Sequence, residues 1–88
     1  MRIQYVDVKD MLTRQVKGEI IIFCPFPNER DVWLVKKISK RKEETIRKIN
    51  LRQFGINDED SLIQALIVHD IKKRSTVYCD ESIKRYYK

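Results

Sequence analysis

The chain has 88 residues, of which 42% are hydrophobic and 36% are charged, and its formal net charge is +6 at pH 7. This size predicts one small domain spanning residues 1–88, and the hydrophobic fraction is too high for a disordered chain. The charge favours anionic partners, namely RNA, DNA or an acidic protein surface. The longest apolar runs, IIIFC and ALIV, are too short to cross a bilayer. We therefore expect no membrane partner and a cytoplasmic location.

The N-terminal region predicts a strand followed by a short helix. The segment RIQYVDV is β-branched and aromatic, which predicts a strand over residues 3–6. Asp7 is placed to cap a helix, apolar residues recur at helical spacing from Val8, and Gly18 provides a stop. We therefore predict a helix over residues 8–17.

The segment EIIIFCPF predicts a second strand. Three consecutive isoleucines and a phenylalanine are typical of a strand that is buried on both faces, hence central in a sheet. Pro25 and Pro27 end this strand because proline cannot donate to the ladder of hydrogen bonds. The following PFPNERD segment is predicted to be a loop.

Two further strands, VWLVKKIS and TIRKINL, predict a basic β-hairpin with its turn at KRKEE. Alternation places Trp33 and Leu34 on opposite faces, so Trp33 faces solvent if Leu34 faces the core. Residues 35–48 hold seven cations, which must crowd one rim of the molecule because buried charges need partners. They are Lys36, Lys37, Lys40, Arg41, Lys42, Arg47 and Lys48.

The segment NDEDSLIQALIVHDIKKR predicts a second helix, capped by Asn57 or Asp58. Acids fill its first turn and three cations, at residues 72–74, fill its last, as the helix dipole favours. Short apolar runs do not distinguish helix from strand, so a hairpin over residues 65–79 remains the alternative. The final DESIKRYYK segment predicts a helical turn or a basic tail, in which Tyr86 and Tyr87 cover the sheet.

The order β-α-β-β-β-α predicts an α+β domain with a small antiparallel sheet of about four strands, packed by one or two helices. A small SH3-like or OB-like barrel with a C-terminal helix is the architectural alternative. The predicted core contains Ile20, Ile22, Leu34, Ile46, Leu62 and Leu66.

Catalytic and ligand-binding motifs are not evident in the sequence. His69 is the only histidine, and no nucleophile or orienting partner accompanies it. Cys24 and Cys79 lack the spacing of metal ligands, and the chain has too few glycines for a phosphate loop. We therefore expect no enzyme activity, no metal, no cofactor and two free thiols, as in a reducing compartment.

The first functional interpretation is a non-enzymatic nucleic-acid-binding module that contacts the phosphate backbone through the hairpin, residues 35–48. Trp33 would stack on a base if it is exposed, and the cations at residues 72–74 and 84–88 would assist. The alternative is a small interaction, inhibitor or accessory module of viral or plasmid type, which docks on an acidic partner surface. A metal-independent ribonuclease toxin, using Lys, Arg and Tyr side chains, ranks below both.

Overall fold

The computed structural model describes residues 1–14, 16–40 and 42–88. These residues form five strands, two α-helices and one 3₁₀-helix, here η1. In chain order they are β1 (Arg2–Val6), α1 (Val8–Leu12), β2 (Ile20–Pro25), β3 (Val32–Ser39), β4 (Lys42–Asn50), α2 (Glu59–Val68), β5 (Thr76–Asp80) and η1 (Glu81–Tyr86).

The five strands form one mixed sheet in the order β1-β5-β2-β3-β4. β5 lies between β1 and β2 and is parallel to both, whereas β3 and β4 form an antiparallel hairpin beside β2. The α+β class and the order β-α-β-β-β-α are confirmed, with β5 and η1 following. The sheet has a fifth strand and is mixed rather than wholly antiparallel, and it stays open instead of closing into a barrel.

Helices cover both faces of the sheet. The α2-face cluster is the larger, and it contains Phe23, Trp33, Val35, Ile49, Leu51, Ile56, Leu62, Ala65, Leu66, Ile71, Val77, Cys79 and Ile83. The α1-face cluster contains Val8, Ile22 and Ile38. Because side chains alternate between faces, a strand covered on both sides is buried throughout, and residues 32–35 of β3 are buried without interruption.

Helix α2 begins as predicted and ends earlier than predicted. Asp58 caps it, since its carboxylate accepts the Ser61 N–H at 2.7 Å while the Ser61 hydroxyl reaches back to the Asp58 N–H. The helix stops at Val68, and Asp70 follows with a φ of 68°. The cations at residues 72–74 therefore belong to the loop before β5 rather than to the last helical turn.

Helix α1 is also shorter than the predicted 8–17. Asp7 caps its start, as expected, by accepting the Asp10 N–H at 3.2 Å. The Thr13 hydroxyl donates to the Asp10 carbonyl at 2.7 Å, which satisfies a carbonyl at the end of the helix. Gln15, inside the predicted span, lies outside the described residues.

The predicted core is largely found. Ile22, Leu34, Leu62 and Leu66 are buried, whereas Ile20 and Ile46 are half-buried. Ile46 lies at a β-bulge, because the register between β3 and β4 shifts there. Tyr86 and Tyr87 pack against the α2-face cluster, so the expectation that the tail's tyrosines cover the sheet is confirmed.

Candidate nucleic-acid interface and an arginine groove

The first strand of the basic hairpin has its predicted bounds, and the second begins earlier than predicted. β3 ends at Ser39, as in the predicted VWLVKKIS strand, whereas β4 begins at Lys42 instead of Thr45, and Ser39 pairs with Lys42. Glu43 and Glu44, predicted in the turn, are therefore strand residues opposite β3. Lys40 is exposed in the turn, and Arg41 lies outside the described residues.

Five of the predicted hairpin cations have acidic partners. Their N–O distances are 2.6 Å for Lys36–Glu43, 3.8 Å for Lys37–Glu19, 3.9 Å for Lys42–Glu44, 3.2 Å for Arg47–Asp70 and 2.6 Å for Lys48–Glu29. The hydrogen bond to Glu43 raises the pKa of Lys36, although burial acts in the opposite direction. A phosphate that contacts these flanking cations must compete with a carboxylate, so the flanks are weaker anion sites than their sequence suggests.

Trp33 is buried rather than exposed. Only 3% of its surface is accessible, its ring lies 5.2 Å from that of Phe23, and Tyr86 stands edge-on to it at 6.4 Å. The alternation of side chains predicted that Trp33 would be exposed if Leu34 lay in the core. Both residues are buried, because both faces of the sheet are covered. Trp33 is therefore not available to stack on a base.

The topology gathers further cations at the edge where the hairpin turn lies. β1, β2, β4 and β5 begin at this edge and β3 ends there. The Arg2 N–H donates to the Ser75 carbonyl at 3.1 Å, which ties the start of β1 to the loop before β5. We call this rim the basic edge, and its described cations are Arg2, Lys17, Lys37, Lys40, Lys42, Lys72, Lys73 and Arg74.

Most cations of the basic edge are exposed and have no counter-ion. In the part of the chain that the structure describes, six of them have no carboxylate partner: Arg2, Lys17, Lys40, Lys72, Lys73 and Arg74. Five strands at the usual spacing make this edge roughly 20 Å wide. A surface of this charge and width can neutralise several phosphates at once.

A second charged feature lies at the opposite edge, where β1, β2 and β5 end. Three arginines, Arg30, Arg52 and Arg85, line a groove of about 340 Å³ together with Asp31 and Tyr86. They come from three separate segments: the loop after β2, the turn after β4 and η1. We call this feature the arginine groove. No local sequence pattern links these segments, so the arginine groove was not predicted.

Asp31 organises the arginine groove. Its side chain is only 15% exposed, its carboxylate accepts the Tyr86 hydroxyl at 2.9 Å, and it forms an ion pair with Arg52, whose Nε lies 3.0 Å away. Arg30 Nε lies 3.9 Å from the same carboxylate. Burial alone would raise the pKa of Asp31, but the bonds from Tyr86 and Arg52 outweigh it and hold this pKa below its usual value.

The depressed pKa of Asp31 predicts a contribution to acid sensitivity. A carboxyl group whose folded pKa lies below its unfolded pKa stabilises the fold above the unfolded value and loses that contribution as pH falls through the folded value. The Asp31→Asn variant should therefore have a lower urea midpoint at neutral pH and a smaller further decrease below about pH 4. Asparagine tolerates the left-handed backbone at this position, where φ is 62°.

Urea midpoints measured at neutral and acid pH check this expectation. Asp60→Asn is the matched control, because Asp60 is an exposed carboxylate for which the described residues provide no hydrogen bond or ion pair. An Asp31→Asn midpoint that falls as steeply as the parent's would contradict the role given to this carboxylate.

Neither cysteine nor the histidine forms a reactive constellation with other described residues. Cys79 lies opposite Phe23 in the α2-face cluster, whereas Cys24 packs on the other face, so the sheet separates the two free thiols. Burial raises the pKa of both thiols, which disfavours the nucleophilic thiolate. His69 Nδ1 contacts the Ala65 carbonyl at 2.8 Å in the last turn of α2.

Among residues 1–14, 16–40 and 42–88, no group of three or more His, Cys, Asp or Glu side chains is placed to hold a metal ion. None of their helices is long and apolar enough to cross a membrane.

Comparison with known proteins gives no relative for this chain. No protein-family model, no curated protein and no solved structure matches it. Its function is therefore inferred from its own geometry and charge.

Proposed function

We propose that this chain is a non-enzymatic nucleic-acid-binding module whose contact surface is the basic edge. One observation carries the proposal: the hairpin turn lies on the same rim as the loop of Lys72, Lys73 and Arg74. Arg2 and Lys17 extend this rim, and their side chains are exposed. The proposed contact surface therefore differs from the predicted one: it consists of the hairpin turn and the other loops on the same rim, rather than the whole hairpin.

The dimensions of the basic edge suit a phosphate backbone. Along one strand of a duplex, phosphates recur every 3.4 Å of axis, so a rim roughly 20 Å wide faces about six of them. Lysine and arginine that contact phosphates release condensed counter-ions, which gives affinity with little choice of sequence. The six cations without a carboxylate partner in the described residues can do this without first breaking an ion pair. Such a function agrees with a cytoplasmic protein that keeps its thiols reduced.

The proposal is tested by measuring how the affinity for short labelled RNA and DNA depends on salt concentration. Fluorescence anisotropy is the readout. Replacing Lys72, Lys73 and Arg74 together by alanine should flatten the slope of log affinity against log salt. The expected change is about 2.7 for duplex DNA and about 2.1 for single strands if all three residues contact phosphate. Stability should scarcely change, because exposed charges contribute little to folding.

The matched control removes three charges from the other end of the sheet. Lys9, Lys84 and Lys88 are exposed, and Lys9 and Lys84 border a groove beside the carboxyl ends of β2 and β5. Their joint replacement by alanine should leave the salt slope nearly unchanged when the strands carry a 5′-hydroxyl. A parent that binds no nucleic acid in low salt, or equal slopes in the two triple variants, would refute the proposal.

An acidic protein surface could be met by the same cations. Capture of partners from the protein's own cell extract, with and without nuclease, separates the two possibilities. Loss of all partners after nuclease treatment supports nucleic-acid binding. If one acidic protein is retained after nuclease treatment and the purified chain binds no nucleic acid, the function is docking on that protein instead of nucleic-acid binding.

A further inference from the structure

The end of the sheet opposite the basic edge contains a crevice formed by the topology. α1 leaves the end of β1 on one face, because Val8 belongs to the α1-face cluster. η1 leaves the end of the neighbouring β5 on the other face, because Ile83 belongs to the α2-face cluster. Where connections from adjacent parallel strands depart to opposite faces, a crevice opens beyond the carboxyl ends, and α/β proteins bind ligands there.

This crevice is an open groove of about 600 Å³, and its lining combines apolar side chains with charged ones, which are Asp7, Lys9, Asp80, Glu81, Lys84 and Arg85. Val8 and Leu12 of α1 face Cys24 and Pro25 at the end of β2. Leu12 is one of the few large hydrophobic side chains that stay exposed among the described residues. Val8 and Cys24 belong to the α1-face cluster, so the apolar surface that a small ligand can reach is that of Leu12 and Pro25.

The crevice continues into the arginine groove, since both are lined by Pro25, Ser82 and Arg85. Together they have the size of an ordinary ligand site. Arg52 forms an ion pair with Asp31 through its Nε at 3.0 Å, and in the described part of the chain its terminal nitrogens have no hydrogen-bond partner. In the described part of the chain Arg85 has no carboxylate partner, and it lies where the two grooves meet.

The backbone at Asp31 lies in the left-handed region, with a φ of 62°. Aspartate adopts this region more readily than most residues, and here it occurs in the turn before β3. The contacts to Tyr86 and Arg52 hold the Asp31 side chain in the groove.

We propose that the crevice and the arginine groove together bind a nucleotide-sized phosphate monoester. Arg30, Arg52 and Arg85 hold the phosphate, and its flat or apolar part lies against the wall of the crevice. Guanidinium groups suit phosphate because their planar fork donates two parallel hydrogen bonds.

Charge selects a phosphate over a carboxylate. In the arginine groove, where the phosphate lies, three arginines surround one carboxylate and leave two positive charges in excess. The crevice adds Lys9 and Lys84 against Asp7, Asp80 and Glu81, so the excess over both grooves is one positive charge. A phosphate monoester carries about −1.5 to −2 at neutral pH, whereas a carboxylate carries a single negative charge. This site is independent of the proposed nucleic-acid contact, because the two lie at opposite ends of the sheet.

Calorimetry with the four ribonucleoside 5′-monophosphates, the matching nucleosides and inorganic phosphate tests the proposal. At least one monophosphate should bind about tenfold or more tightly than its nucleoside and than inorganic phosphate. Arg52→Gln and Arg85→Gln should each weaken that binding about tenfold or more, as loss of a charge-assisted hydrogen bond does. Arg14→Gln is the control, because Arg14 is an exposed arginine that lines neither groove, and it should leave this binding unchanged.

A phosphate monoester also occurs at the 5′ end of a nucleic acid strand. Short oligonucleotides with a 5′-phosphate or a 5′-hydroxyl distinguish these two sources. If the 5′-phosphorylated strand binds more tightly and Arg85→Gln abolishes this difference, the groove binds strand ends. If free nucleotide binds and the 5′-phosphate does not change the affinity of the strand, the groove binds small molecules. Thermal midpoints of the variants control for folding. Absence of binding by every monophosphate and by the 5′-phosphorylated strand would overturn the proposal, as would undiminished binding by folded Arg85→Gln.

Discussion

Leu66→Ala is expected to lower the free energy of unfolding by about 2–5 kcal/mol. Leu66 is fully buried in the α2-face cluster, so its truncation removes apolar contacts and leaves a cavity beneath α2. Small domains have a total stability of about 5–15 kcal/mol, so this loss is a large share. The carbonyl of Leu66 also accepts the Ile71 N–H at 3.0 Å, and this bond should weaken if the end of α2 shifts.

Val68→Ala is the matched control for Leu66→Ala. It lies two residues further along the same helix, and 69% of its surface is exposed. Its free energy of unfolding should stay within about 0.5 kcal/mol of the parent's, as is usual for surface substitutions. Urea unfolding followed by circular dichroism measures both variants. Equal midpoints for the two variants would contradict the packing of α2 described above.

The two ends of α2 illustrate what local sequence can predict. The start depends on Asp58 and Ser61, which are three residues apart and satisfy each other's backbone, so the sequence pattern was sufficient. The end is a Schellman motif, in which the Asp70 N–H bonds the Ile67 carbonyl and the Ile71 N–H bonds the Leu66 carbonyl. Glycine usually occupies the left-handed position of this motif. With Asp70 there, the sequence carried no stop signal.

The end of α2 has a functional consequence. A helix continued through residues 72–74 would place their cations on the helix surface. The observed loop instead places them at the start of β5, on the same rim of the sheet as the hairpin turn, and the Arg2 N–H at the start of β1 donates to the Ser75 carbonyl of this loop. The candidate interface thus depends on a helix end that propensity and capping patterns did not predict.

The sequence predicted a strand at the position of β5 only as an alternative, and with the wrong partner strand. The alternative hairpin over residues 65–79 included a strand near Val77, but it gave that strand a neighbouring partner in sequence. Its actual partners are β1 and β2, which are distant in the chain and parallel to it. Parallel pairing needs no turn signal, so the local sequence contains no trace of it. The crevice and the arginine groove follow from this pairing and were missed with it.

Counting cations along the chain overstated the charge of the hairpin flanks. Glu43, predicted in the turn, is a strand residue that engages Lys36. Acids from distant loops engage others, as Asp70 engages Arg47. Local sequence gives the number of charges on a segment but not the partners that folding brings to them. Of the described hairpin cations, Lys40 in the turn is the one without a carboxylate partner among the described residues.

Trp33→Ala is expected to lower the free energy of unfolding by about 3–5 kcal/mol, the usual cost of truncating a buried aromatic side chain. The indole is 3% exposed and packs on Phe23 and edge-on to Tyr86. Circular dichroism should follow the unfolding, because Trp33 is the only tryptophan and the variant has no indole fluorescence. Phe54→Ala is the control, since Phe54 is 44% exposed and should cost much less.

The same variant separates a structural role from a binding role. An exposed tryptophan that stacked on a base would cost about 1–3 kcal/mol of single-strand affinity when removed and would leave stability nearly intact. A buried Trp33 has the opposite pattern: the urea midpoint falls, while folded variant at low temperature keeps the parent's affinity for single strands. Because the indole is enclosed by Phe23 and Tyr86, we expect this second pattern. A variant with the parent's midpoint and a clear loss of single-strand affinity would restore Trp33 to the contact surface and require a different packing of β3.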